Sequence, residues 1–167
     1  YAIDRWSPHL LVNIGTCGGL EGEIEKDAIV LVEKTIVYDI VEQMGDSDEA
    51  IDHFSTEIDL SWLGDDYPIE VHRGLLVSGD RDLMADEVQG LKERYDARAG
   101  DWESGAIAWV AARNGTRCLI LRGVTDLVGS GGGEAYEGNI DVWVEGTRRV
   151  LRRLVDSLSD WIAKSRQ

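Results

Sequence analysis

His9–Thr16 (HLLVNIGT) is a nearly continuous apolar run ending in Cys17-Gly18-Gly19, the pattern of a strand buried on both faces and closed by a glycine turn. Ala28–Tyr38 (AIVLVEKTIVY) is rich in β-branched residues and predicts a second, longer strand that Asp39 closes. From Ile40 to Pro68 acidic residues such as Glu42, Asp46, Asp48, Asp52, Glu57 and Asp65 interrupt any apolar period, and the segment reads as an irregular surface excursion. Ile69–Ser78 (IEVHRGLLVS) predicts a third strand ending at Gly79-Asp80. Val88, Leu91 and Tyr95 then fall at helical spacing within Ala85–Tyr95. Asp101 and Glu103 open another helix, with Ile107, Val110 and Ala111 as its inward stripe and Gly115 as its C-terminal cap. Arg117–Thr125 (RCLILRGVT) predicts a fourth buried strand, and Asp126–Gly138 a glycine-rich loop. Ile140–Ile162 predicts a long amphipathic helix with a stripe through Val144, Leu151, Leu154, Val155, Leu158 and Ile162.

Strands alternating with helices predict an α/β fold, a three-layer sandwich around a central mixed, largely parallel sheet. In such folds ligands sit beyond the carboxyl ends of the strands, which directs attention to residues 15–19, 79–84 and 125–133. Neither repeats nor a composition shift divides the chain, so a single domain over 1–167 is expected; 43% hydrophobic and 29% charged residues suit a globular core. The formal net charge of -15 disfavours nucleic acid and anionic membranes as partners. Cys17 and Cys118 lie inside apolar runs without metal-ligand spacing and read as buried reduced thiols, which together with the lack of a bilayer-length apolar stretch predicts a cytoplasmic protein.

Gly15-Thr16-Cys17-Gly18-Gly19 would let the backbone approach a ligand closely, with the Thr16 hydroxyl free to meet an oxyanion or water, or it is simply a tight turn. It matches neither phosphate-binding glycine pattern. Gly129–Gly133 reads as a flexible lid or linker, since no basic residue follows it. Asp126, at a strand end, suits a carboxyl with a raised pKa for general acid work, or else a turn aspartate. Glu103, in the first turn of a helix, could accept hydrogen bonds from a polyol or serve only as a cap. His9, His53 and His72 share no ligand spacing, so no metal is expected, and Trp109, Trp143 and Trp161 read as packing residues.

Segments in order along the chain resemble the purine nucleoside phosphorylase and methylthioadenosine/S-adenosylhomocysteine nucleosidase superfamily. Asn13–Leu20 (NIGTCGGL) is similar to its N-x-G-[ST]-[AC]-G-G-L segment, and Arg73–Asp80 (RGLLVSGD) to R-G-x-x-x-S-G-D. Asp101–Ala108 (DWESGAIA) resembles [DE]-M-E-x-x-A-I-A, and Arg122–Asp126 (RGVTD) resembles R-x-[IV]-S-D.

The resemblance implies a phosphorylase/hydrolase-like fold and cleavage of the N-glycosidic bond of a purine nucleoside, with hydrolysis of the methylthioadenosine/S-adenosylhomocysteine type ahead of phosphorolysis. The alternative to an enzyme is a non-catalytic nucleoside-binding module or fragment. Asp126 would hydrogen-bond or protonate N7 of the departing purine. Glu103 would hold the ribose hydroxyls, with Trp102 packed on the sugar. Thr16 and Gly18 would face the water or phosphate, and backbone near Leu83 would receive the base edge, while Arg122 and Thr125 would support the site. No cofactor is implied, phosphate being a co-substrate only in a phosphorylase, and a homo-oligomer, dimer or hexamer, is expected. Trp102 stands where the family has methionine, Thr125 where it has serine, and Asp82 where nucleosidases commonly carry an aromatic residue. Family members also have a preceding strand, bearing a water-activating glutamate or basic phosphate ligands. The sequence begins at Tyr1 after that region and reads as N-terminally incomplete.

Overall fold

A computed structural model describes residues 1–166. A short helix, α1 (Ala2–Trp6), precedes β1 (Leu10–Leu20) and β2 (Ile29–Val37). Then come α2 (Ser47–Phe54), β3 (Thr56–Glu57), β4 (His72–Ser78), α3 (Val88–Tyr95) and β5 (Ala97–Asp101). The chain continues with α4 (Ser104–Arg113), β6 (Arg117–Gly129), β7 (Gly132–Gly133) and α5 (Ile140–Lys164).

The α/β class and the mixed sheet are as expected. β2/β4, β4/β5 and β1/β6 run parallel, whereas β1/β5, β2/β3, β2/β6 and β6/β7 run antiparallel. In place of an open sheet between two helical layers, the order β3-β2-β4-β5-β1-β6-β7 curls until β2 also pairs with β6, closing a barrel-like ring. Ile29–Leu31 of β2 meets Leu121–Gly123 of β6 at that seam. Long strands let the accumulated twist bring the two ends of the sheet together.

Both faces of the strands are covered, which is why the apolar runs are continuous. Along β6, Cys118, Ile120 and Val124 join Val30, Val32, Ala108 and Ala111 on the α4 side, while Leu119 and Leu121 join Val150, Leu154 and Trp161 of α5. α3 closes a third cluster with Leu20, Val77, Leu83 and Val128. Among the described residues no helix is long and apolar enough to cross a membrane.

Several local expectations are corrected. Residues 40–68 hold α2, where Asp46 caps the helix by accepting from the Asp48 amide at 2.9 Å, and β3 against β2. Only Ile51 of α2 is buried, so the helix leaves no apolar period in the sequence. The glycines after Thr16 form no turn: Gly18 and Gly19 continue β1 and pair with Gly100 and Ala99 of β5. A side chain at Gly19 would come within 2.7–2.9 Å of Val124, Ile24 and Leu127, so the strand needs glycine for close packing. The buried line of α5 runs through Gly146, Val150, Leu154, Ser157 and Trp161, turned away from the predicted stripe so that Val155 faces solvent. Small residues let this helix approach β6. On α4, likewise, Ser104, Gly105, Ala108 and Ala111 face inward and Val110 does not.

Candidate functional site

β1, β5 and β6 deliver Thr16–Gly18, Asp101–Glu103 and Thr125-Asp126 to one cavity of about 570 Å³, roofed by the loop before α3 and by residues 135–143. A second cavity of about 550 Å³, around Lys34, Thr56 and Tyr95, contains none of the candidate residues.

An irregularity in the β1/β6 ladder aims the central carboxyl. Cys17 pairs with Val124 but Gly18 pairs with Asp126, which leaves Thr125 as an extra residue on β6. A bulge of this kind shifts side-chain alternation by one. Leu127 therefore continues the face of Val124, and Asp126 turns with Val128 toward the cavity. Asp126 thus lies within a strand whose regular structure continues to Gly129, not in the loop after it.

Asp126 is 5% exposed, and burial pushes its carboxyl above the usual aspartate range; the Thr125 hydroxyl opposes that shift and the charge of Glu134 adds to it. Thr125 Oγ1 lies 2.6 Å from Asp126 Oδ1 and 3.3 Å from the Cys17 carbonyl oxygen. A hydroxyl so placed serves both protonation states. It donates to the carboxylate, or it turns to the carbonyl and accepts from the carboxylic acid.

Across the cavity floor, Arg122 is buried at the end of an apolar run and paired with Asp101 (Nε to Oδ2, 2.8 Å) and Glu103 (3.2 Å). Its Nε also reaches Ser104 Oγ at 3.0 Å, and one terminal nitrogen donates to the Thr16 carbonyl at 3.4 Å. Gly15 leaves room for this guanidinium, which would collide with any side chain there. The Glu103 carboxylate is 57% exposed, open to the cavity while tethered from below. Its expected capping role falls to Asp101, which accepts from the Ser104 amide at 3.1 Å and the Glu103 amide at 3.3 Å.

Trp102 lines the cavity and is 58% exposed, and a methyl group on Gly18 would touch the Leu83 side chain at 3.4 Å. Asp82 lies on the same wall. The Leu83 carbonyl accepts from the Tyr136 hydroxyl at 3.0 Å. Burial, together with the charges of Asp82 and Asp126, pushes this phenol up to about 12, so it remains a donor. The structure therefore brings Thr16, Gly18, Leu83, Trp102, Glu103, Thr125 and Asp126 to one cavity, with Arg122 beneath it. Sequence reasoning missed Tyr136, Ile140 and Trp143 as lining residues, since their approach depends on how the segment after β7 folds back. It also gave Asp101 no role beyond opening a helix, although a carboxylate three residues before a buried helix turn is a capping signal.

A buried carboxyl whose pKa is raised and an exposed carboxylate lining the same cavity can deliver a proton to a departing group and stabilise positive charge developing beside it. A model of the phosphorylase superfamily matches residues 1–156. A 5'-methylthioadenosine/S-adenosylhomocysteine nucleosidase from Buchnera aphidicola is 24% identical over 169 residues, covering 95% of this chain and 73% of that protein. The nucleosidase of the same description from Thermotoga maritima is 28% identical over 141 residues, covering 83% and 63%. Among solved structures, the apo Arabidopsis thaliana 5'-methylthioadenosine nucleosidase superposes with a TM-score of 0.78 at 21% identity, covering 98% of this chain and 65% of that one. The S. pneumoniae nucleosidase with a transition-state inhibitor superposes at 0.74 and 19% identity, covering 99% and 74%. The chain thus spans about two thirds to three quarters of these proteins, and by the match over residues 1–156 it belongs to the phosphorylase superfamily.

Proposed function

We propose that the chain binds a purine nucleoside in the 570 Å³ cavity and serves cleavage of its N-glycosidic bond by water, with methylthioadenosine or S-adenosylhomocysteine as the substrate type. The observation that carries this reading is the meeting of buried Asp126 and exposed Glu103 in the lining of one cavity. As the bond from the ribosyl carbon to N9 breaks, its electron pair passes to the purine, and the Asp126 proton moves to N7. Glu103 receives the ribose hydroxyls, and its charge favours the cationic sugar. Water adds to the anomeric carbon and gives up a proton. In the family the chain resembles, a glutamate on an N-terminal strand takes that proton.

Hydrolysis is favoured over phosphorolysis because the nearest guanidinium, Arg122, is already engaged by Asp101 and Glu103, and Arg81 on the cavity wall is paired with Glu87 at 2.7 Å. A homo-oligomer is part of the proposal, supported by the exposed rings of Trp102 and Trp143 and by Ile140 at the cavity rim. A monomer by light scattering would remove that element.

The test is chromatographic detection of free base after incubation with methylthioadenosine, S-adenosylhomocysteine, adenosine and inosine, each with and without phosphate, alongside calorimetric binding. Base released without phosphate supports the reading. Strict dependence on phosphate overturns hydrolysis, binding without release overturns catalysis by this chain, and neither binding nor release overturns the whole proposal.

A further inference from the structure

Asp101 is the most heavily hydrogen-bonded carboxylate near the cavity, and its side chain is only 3% exposed. Oδ1 accepts from Ser78 Oγ at 2.7 Å and from the amides of Ser104 at 3.1 Å and Glu103 at 3.3 Å. Oδ2 accepts from Ser104 Oγ at 2.5 Å and Arg122 Nε at 2.8 Å. Ser78 Oγ in turn accepts from the Gly105 amide at 2.8 Å, tying the end of β4 to the first turn of α4. One charged and four neutral donors thus converge on this carboxylate.

The charges around Arg122 then have an uneven division of labour. One guanidinium faces two carboxylates, Asp101 buried beside Nε and Glu103 open to the cavity at 3.2 Å. Arg122 contributes one positive charge and the pair two negative ones, so the cluster carries a net single negative charge whose solvent-facing part lies on Glu103. Were Asp101 neutral, Arg122 would cancel Glu103 and leave the sugar wall without net charge. A buried guanidinium is unfavourable without a counter-ion, and an open carboxylate alone would be drawn fully into that role.

Resting on the reading of the cavity as a nucleoside site, we infer that Asp101 is a positioning residue that neutralises Arg122 and so reserves the negative charge of Glu103 for a cationic ribosyl group. Arg122 then acts as a tether fixing where Glu103 points, not as its charge partner. The inference concerns electrostatics transmitted through Arg122, since the Asp101 carboxylate, although part of the cavity wall, is only 3% exposed and engaged by its own donors.

Binding of two ligands tests it: a purine nucleoside with a neutral furanose ring and its analogue with a protonated pyrrolidine in the sugar position. Native protein should prefer the cationic ligand. In Asp101→Asn that preference should fall on the order of tenfold, as expected for removing one unit charge from the cluster that faces the cation, while affinity for the neutral nucleoside changes little. Asp101→Glu should restore the preference. Asp101→Ser, which keeps a hydroxyl suited to capping α4, carries the same comparison should the asparagine variant not fold. Equal loss of both affinities in the neutral variants, or an unchanged ratio, overturns the inference by showing a purely structural role. Failure of the native protein to bind either ligand overturns the nucleoside reading itself, and the inference with it.

Discussion

The bulged pair Thr125-Asp126 shows how a single residue links chemistry to stability. Burial raises the Asp126 pKa, so across the interval between the ordinary carboxylate range and the raised value the folded protein holds a proton that the unfolded chain has released. Native stability is therefore lost as pH rises through that interval. Asp126→Asn has no proton to lose, and it should be more stable than the native protein at neutral pH, the difference vanishing below about pH 4, where both states are protonated. Denaturant midpoints measured across pH check this, and a variant less stable at neutral pH contradicts it. Thr125→Val removes the hydroxyl that serves both protonation states and leaves a buried carbonyl and carboxyl short of a partner, so a loss of about 1–3 kcal/mol in stability is expected by urea titration.

At the scale of elements, the site depends on how closely α5 sits on β6. A methyl group at Gly146 would come within 2.6 Å of the Thr125 carbonyl oxygen and 2.9 Å of its Cα, so the helix must move or push the bulge. Gly146→Ala should cost about 1–3 kcal/mol of stability and also slow base release, since it displaces the segment carrying Asp126. Normal activity with full stability would show that the backbone yields elsewhere. The long buried strands were legible in the sequence because covered sheets write continuous apolar runs, and the positions of Asp126 at a strand end and Glu103 in a first helical turn placed both at one crevice. β5 was not legible: Ala97, Ala99 and Gly100 carry little strand propensity, and Gly100 is small because a side chain there would come within 2.9 Å of Leu83. α2 was hidden by its own acidity, which stabilises its first turn but resembles a solvated loop.

For the whole molecule, closure of the sheet through β2 and β6 is the feature that local patterns could not reveal, because it depends on twist summed over several strands. Within that sheet β1 pairs with both β5 and β6, so residues from Thr16 to Asp126 meet over one opening. The molecule bears a formal charge of -15, and self-repulsion of the compact state is screened by salt. The melting temperature should therefore rise between low and physiological ionic strength. A fall would mean that surface pairs such as Lys26–Glu134 and Arg149–Asp27 outweigh the net charge. The central claim is that Asp126 gives its proton to the departing base, and the comparison of Asp126→Asn with native protein in base release and in nucleoside affinity tests it most directly. A fall in turnover of about a hundredfold or more with affinity little changed is the predicted result. Equal losses in turnover and affinity, or unchanged turnover, would contradict it.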